Sequence, residues 1–288
     1  MERATVAVIP AAGFGTRFLP ATKAVPKELL PIIERPAIEF IFDDIVGAEI
    51  PEVVLVTAKN KSALAIHFSR SPELEAHLQS NGSEHLLEQH QALLDKTAIR
   101  YVTQDRQLGL GHAVLQSETL VGNRPFAVLL PDDIIFQGSD FLAKMMDISS
   151  HYRGSVLALK RVPRELISRY GVVSATEVSP NQYKIHAVVE KPRIEDAPSD
   201  LAVIGRYVLS PSIFSALHST QPGALGEIQL TDGIAQLIEL EPVYGLIVEG
   251  DHHDVGTPQG LLACALNLAM KQPKMRQELS ELLKHWNN

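Results

Sequence analysis

The 288 residues contain one cysteine, Cys264, so an intrachain disulfide is impossible and a zinc–thiolate cluster is excluded. No apolar run is long enough to cross a bilayer as a helix, and Met1-Glu2-Arg3 leads directly into a strand-like segment, which predicts no secretory leader. A basic stripe is missing too. With 26 Lys and Arg against 34 Asp and Glu, the formal net charge is -8, which argues against broad nucleic-acid binding. No internal repeat, low-complexity tract or linker divides the chain. The expectation is a single domain over residues 1–288, with a core over roughly 5–260 and a helical segment at 261–288 available for subunit contact. A cytoplasmic protein fits these absences, and a hydrophobic content of 45% is ordinary for a globular chain.

Two phosphate-binding motifs are also absent. The P-loop pattern G-x-x-x-x-G-K-[ST] occurs nowhere, and the dinucleotide fingerprint that starts at Gly13-Phe14-Gly15 has Phe18 where its third glycine belongs. What stands there is a different loop, running from Pro10 through Gly13-Phe14-Gly15-Thr16-Arg17 to Lys23-Ala24-Val25-Pro26-Lys27 and Pro31. It follows the β-branched run Thr5-Val6-Ala7-Val8-Ile9, which reads as a buried strand. Its glycines let backbone N–H groups approach a ligand closely. From Pro10 to Lys27 there is no acidic residue, while Arg17, Lys23 and Lys27 add positive charge. An acidic chain that gathers cations in one loop at a strand end is equipped for a polyphosphate. The segment resembles the signature of the sugar-1-phosphate nucleotidyltransferases.

Apolar strand-like runs at Thr5–Pro10, Val53–Thr57, Ile99–Thr103, Phe126–Pro131 and Ser155–Val162 alternate with helical stretches such as Ala37–Ala48. This predicts an α/β fold: an open, twisted, mostly parallel sheet flanked by helices, with ligands at the carboxyl ends of its strands. Residues 60–97 read as a helical excursion. Beyond Tyr170, strands at Val172–Val178, Tyr183–Glu190 and Leu201–Leu209 joined by short turns predict a smaller antiparallel or mixed section, before helices at Gln259–Met270 and Lys274–Trp286.

Joining a sugar phosphate to a nucleotide uses a nucleophile that is already anionic, so the protein must supply cations, N–H donors and a metal-binding carboxylate rather than a catalytic triad. Arg17 suits a bidentate grip on terminal phosphates and Lys27 a point charge beside it, with Glu28 either orienting Lys27 or facing solvent. The N–H groups of Gly13, Gly15 and Thr16 complete the cradle. Asp132 ends the apolar run Ala127–Pro131 and is the candidate ligand for a hard divalent cation; Asp133 should point the other way. Asp254 is the candidate second ligand. Gln104, with donor and acceptors on one amide, suits a pyrimidine edge, and Gly109-Leu110-Gly111 follows it. Glu190 can accept from sugar hydroxyls, Lys191 can neutralise the sugar phosphate, and Gly171 offers an N–H beside the ring. His252 and His253 read as surface histidines, because neighbours on a strand face opposite ways.

In this order, the pieces resemble the bacterial UTP–glucose-1-phosphate uridylyltransferases. The likeness runs from about Val6 to Gly260, with landmarks at Gly13–Pro31, Gly109–Val114, Leu130-Pro131-Asp132, Tyr170–Val173, Val189–Pro192, Ile204–Leu209 and Gly226–Asp232. It implies a Rossmann-like nucleotidyltransferase fold, Mg²⁺, UTP and glucose 1-phosphate as substrates, and a homo-oligomer, dimer or tetramer. It implies uracil held by the backbone of Ala11 and Ala12 with Gln104 and Gly109, Arg17 and Lys27 on the triphosphate, Asp132 on Mg²⁺, Lys191 on phosphate, and Gly171 and Glu190 on glucose. Three positions depart from the family pattern: Thr103 in place of a frequent arginine, Val255 in place of cysteine, and Thr257-Pro258, which is closer to the thymidylyltransferase version. Thymidylyl transfer, another sugar phosphate, and a non-catalytic regulatory role are the alternative readings.

Overall fold

The structure, a computed structural model, describes residues 2–138, 140–223 and 226–286; Met1 and the last two positions of the 261–288 segment lie outside the described residues. Its strands are β1 (Val6–Pro10), β2 (Pro31–Ile32), β3 (Arg35–Pro36), β4 (Glu52–Thr57), β5 (Ala98–Thr103), β6 (Phe126–Leu129), β7 (Asp133–Phe136), β8 (Ser155–Arg161), β9 (Gly171–Ser179), β10 (Gln182–Glu190), β11 (Leu201–Leu209), β12 (Val243–Ile247) and β13 (Asp251–Asp254). Nine of them form one sheet in the order β5-β4-β1-β6-β11-β8-β12-β10-β9. The first four in that order pair in parallel. β11 enters antiparallel between β6 and β8, β12 runs parallel to β8, and β10 and β9 close the sheet antiparallel. The expected mixed section is thus a continuation of the same sheet.

Alternation along the strands explains why both faces are covered. Ala7, Ile9, Val53 and Leu55 enter one apolar cluster with Ile38, Ile41 and Phe42 of the helix Ala37–Gly47 and Met145 of the helix Phe141–Tyr152. Val6, Val8, Val54 and Val56 enter the other, with Ile213 and Leu217 of the helix Ser212–Ser219 and Ile234 of the helix Leu230–Leu240. A sheet buried on both faces gives continuous apolar strands, which is why these runs were legible. β7 and β13 were not. They form a separate two-stranded pair in which Asp254 faces Asp133, and the sequence of β13, Asp-His-His-Asp, carries no apolar signal.

The segment at 60–97 is helical, at Ser62–His67, Pro72–Ser80 and Glu84–Lys96. Helices at Pro258–Lys271 and Pro273–Trp286 end the described chain. Leu261 packs on the core while Leu262, Leu266 and Met270 lie exposed on one stripe. Cys264 is buried. No helix among the described residues is long and apolar enough to cross a membrane.

Candidate active site

The loop after β1 leaves the sheet through Gly15, whose φ of +64° suits glycine, and Thr22 Oγ1 donates to the Gly15 carbonyl at 2.7 Å. Three single 3₁₀ turns, Thr16–Phe18, Ala21–Lys23 and Lys27–Leu29, carry the cations. Arg17 and Lys23 are exposed. Lys27 turns inward and forms an ion pair with Asp132. Burial alone would lower the Lys27 pKa, but Asp132 and then Glu28 outweigh it and hold the ammonium above its ordinary range. The Arg17 charge also acts, as the smallest cause, on both Lys27 and Asp254.

Glu28 neither orients Lys27 through a hydrogen bond nor faces solvent. It is 2% exposed and accepts from Lys61 Nζ at 2.8 and 3.0 Å. The same ammonium donates to the Ala11 carbonyl at 2.6 Å. Burial, only partly offset by Glu28, pulls the Lys61 pKa down. Lys61 therefore ties the end of β1 to the Lys27 turn, a link that sequence reading missed because Lys59-Asn60-Lys61 reads as an ordinary polar loop. Breaking it should be costly. Lys61→Met leaves a buried carboxylate unpaired and should destabilise the fold by about 3 kcal/mol. The double variant with Glu28→Gln should recover part of that loss in denaturant unfolding. An unfolding midpoint unchanged in Lys61→Met would contradict the clamp.

Asp132 follows β6, and its carbonyl accepts from Val255 N–H at 2.7 Å, which brings the loop after β13 against it. Both carboxylates then converge on Gly256. A Cβ placed there would lie 2.7 Å from Asp132 Oδ2 and 2.9 Å from Asp254 Oδ1. Gly256 N–H donates to Asp254 Oδ1 at 2.9 Å. Desolvation, followed by the like charges of Asp133 and Asp132, raises the Asp254 pKa. Among the described residues no group of three or more His, Cys, Asp and Glu side chains forms a closed metal cage. Two convergent carboxylates nevertheless fit Mg²⁺, which keeps waters and completes its shell with substrate phosphates.

Asp133 does point away from Asp132. Its Oδ2 accepts from Gly205 N–H and its Oδ1 contacts His252 Nε2, each at 2.7 Å. Burial would raise its pKa, but His252, Arg206 and Gly205 outweigh burial and lower it. This corrects the reading of His252 as a surface residue: its side chain is 5% exposed. His253 is half-buried and stacks edge-on against Phe136. Arg206, fully buried, joins Asp44 to the Asp133 and Gly205 carbonyls. The Ile204–Leu209 landmark is thus a buttress behind the carboxylate loop. Two of the departures are also matters of packing. Val255 lies in the core, and the Thr257 hydroxyl accepts from Gly260 N–H to cap the helix that starts at Pro258.

At the far side, the ends of β1, β4 and β5 align through Ala11 N–H to the Val56 carbonyl and Gln104 N–H to the Thr57 carbonyl. Both Ala11 backbone groups thus already have partners in the chain, and Ala12 beside it is buried. Gln104 is 3% exposed, and its Nε2 donates to the Gly109 carbonyl at 3.2 Å and to His112 Nδ1 at 2.8 Å. Gly109 has φ +98°, and any Cβ there would meet the Ile228 carbonyl at 2.6 Å. The turn therefore demands glycine and locks against the Gly226–Asp232 segment.

The opposite end is built on the β9–β10 pair, where Gly171 lies across from Glu190. A Cβ on Gly171 would lie 3.2 Å from the Thr231 side chain and 3.4 Å from Glu190 Oε2. Sequence reading treated Thr231 only as part of a landmark; the fold puts its side chain beside Gly171. Lys191 has φ +44°, donates its N–H to the Tyr170 carbonyl and pairs through Nζ with Glu190 at 3.0 Å. Between the two ends, buried Tyr207 on β11 has its phenol pKa raised by burial, then by Asp133, Glu190 and Asp132.

A nucleotidyl transferase family model matches residues 6–271. The chain belongs to the nucleotidyl transferase family. The UTP–glucose-1-phosphate uridylyltransferase YngB of Bacillus subtilis (strain 168) is 42% identical over 273 residues, covering 95% of this chain and 92% of that protein. The UTP–glucose-1-phosphate uridylyltransferase of Staphylococcus haemolyticus (strain JCSC1435) is 42% identical over 284 residues, 99% of each chain. Among solved structures, a UDP-glucose pyrophosphorylase complexed with UDP-glucose is similar with a TM-score of 0.85 at 36% identity, over 93% of this chain and 100% of that one. A UTP-bound enzyme of the same type from Acinetobacter baumannii has a TM-score of 0.88 at 36% identity, over 97% and 98%. The kinship expected from the motifs and the nucleotidyltransferase fold both hold.

Proposed function

We propose that this chain transfers a uridylyl group from UTP to glucose 1-phosphate. A phosphate oxygen of the sugar attacks the α-phosphorus in line, a new P–O bond forms, the bond to the bridging oxygen breaks, and pyrophosphate leaves with its electron pair. The observation that carries this reading is the convergence of Lys27, Arg17, Asp132 and Asp254 between a glutamine-lined end and a glutamate-lined end. No side-chain base is needed. Catalysis rests on alignment of two polyanions and on charge neutralisation.

In this reading Arg17 and Lys27, with the N–H groups of Gly13, Gly15 and Thr16, hold the triphosphate. Ala12, Gln104 and Gly109 face uracil, with Ala11 fixed behind them by Lys61. Gly171 and Glu190 hold glucose, and Lys191 meets the sugar phosphate. Asp132 and Asp254 would hold Mg²⁺, whose charge, when bound, lowers the repulsion between phosphate oxygens. Both substrates are polyanions that do not cross a bilayer unaided, so the reaction belongs in the cytoplasm. The exposed stripe Leu262, Leu266 and Met270 is the surface on which a homo-oligomer would form.

The test is pyrophosphate release across a matrix of nucleoside triphosphates and sugar phosphates with Mg²⁺. UTP with glucose 1-phosphate should give the highest kcat/KM. Turnover of dTTP at or above that of UTP would overturn the uridylyl assignment, and background release throughout would favour a regulatory role.

A further inference from the structure

Gln104 is one of few polar side chains buried this deeply, and its surroundings decide which way its amide faces. The Gly109 carbonyl accepts only, so the amide nitrogen must turn toward it. The second N–H of the same nitrogen meets His112 Nδ1 at 2.8 Å. Both donors are then used inside the protein. Oε1 accepts no hydrogen bond among the described residues, and it is not one of their fully buried unpartnered atoms, so it keeps access to a ligand.

We propose that His112 sets base selectivity by locking the Gln104 amide with its oxygen toward the base, so that the site accepts a pyrimidine carrying N3–H and rejects one whose N3 is an acceptor. The proposal rests on the base-reading role of Gln104 given above. Uracil and thymine both present N3–H; cytosine presents a lone pair there, and two facing acceptors repel. His112 is therefore a positioning residue that acts through Gln104.

Its ring is suited to the task. Burial, with Arg106 adding to it, lowers the His112 pKa and favours the neutral ring, whose Nδ1 lone pair can accept. Nε2 then carries the hydrogen. Gln116 Nε2 approaches that nitrogen at 3.3 Å, the longer of the two ring contacts. Gln116, half-buried at the end of the helix Leu110–Leu115 that carries His112, also donates from Nε2 to the His112 carbonyl at 3.2 Å, so its amide stays bonded without the ring contact. The 2.8 Å contact to Gln104 is the shorter one and keeps the ring's single lone pair.

The experiment compares kcat/KM for UTP, CTP and dTTP in pyrophosphate release by His112→Leu, His112→Asn and Gln104→Leu enzymes. His112→Leu should lower the UTP:CTP ratio about ten-fold, the scale of one hydrogen bond, while UTP:dTTP changes less than about two-fold. His112→Asn keeps an acceptor near the Nδ1 position and should retain most of the wild-type ratio, a rescue that mere packing would not produce. His112→Phe keeps the ring without its nitrogens and serves should the leucine variant fold poorly. An unchanged UTP:CTP ratio in both His112→Leu and His112→Phe, with a lowered one in Gln104→Leu, would overturn the role of His112 alone. Unchanged ratios in all three would overturn the base-reading role of Gln104 as well.

Discussion

Asp132→Ala is expected to reduce kcat by about three orders of magnitude while leaving the fold intact. Among the described residues the side chain bonds Lys27 alone, whereas the neighbouring loop is held by the Asp132 carbonyl, which accepts from Val255 N–H. Removing the carboxylate takes away half of the pair that converges on Gly256 and leaves Lys27 without its main counter-charge. Asp132→Asn, nearly the same in shape, should fall almost as far, because charge rather than bulk is lost. Steady-state turnover with saturating UTP and glucose 1-phosphate, alongside far-ultraviolet circular dichroism and a thermal midpoint, separates the effects. Turnover near wild type in either variant would remove Asp132 from the metal site.

Lys191→Ala should lower kcat/KM for glucose 1-phosphate by about 10²–10³-fold, with a much smaller effect on UTP binding. Lys191 is 57% exposed and, among the described residues, pairs through Nζ with Glu190 alone, so its loss should cost the fold no more than about 1 kcal/mol. Its positive φ matters here. A non-glycine residue in that conformation carries strain of about 1–3 kcal/mol, which the backbone bond to the Tyr170 carbonyl helps to hold. The strand thus ends at Lys191, whose ammonium pairs with Glu190. Lys191→Arg should keep part of the rate, since the charge survives with a different reach. Equal kinetics in the alanine variant would leave the sugar phosphate without its assigned partner.

Much of this candidate site is legible in the sequence. Gly13 to Lys27 was readable because local composition alone separates an acid-free, glycine-bearing cationic loop from its acidic surroundings. Asp132, Gln104 and Glu190 were readable because each ends a run whose apolar content marks a strand, and ligands gather at strand ends in this class of sheet. The polar supports could not be read in this way. Lys61 finds Glu28 and Ala11, Arg206 finds Asp44, and His252 finds Asp133, each across a long stretch of sequence. Nothing in the local pattern distinguishes such residues from solvated ones.

The sequence by itself determined the acid-free cationic loop, the alternation of strands and helices, and the side chains available for the chemistry, because these follow from local periodicity and residue type. Only the tertiary structure decided that Asp132 and Asp254 converge on Gly256, that the Gln104 amide nitrogen meets Gly109 and His112, and that His252 is a buried partner. Those facts depend on which strands pair. β13 has no hydrophobic pattern of its own and becomes a strand only when β7 offers it a ladder of backbone hydrogen bonds.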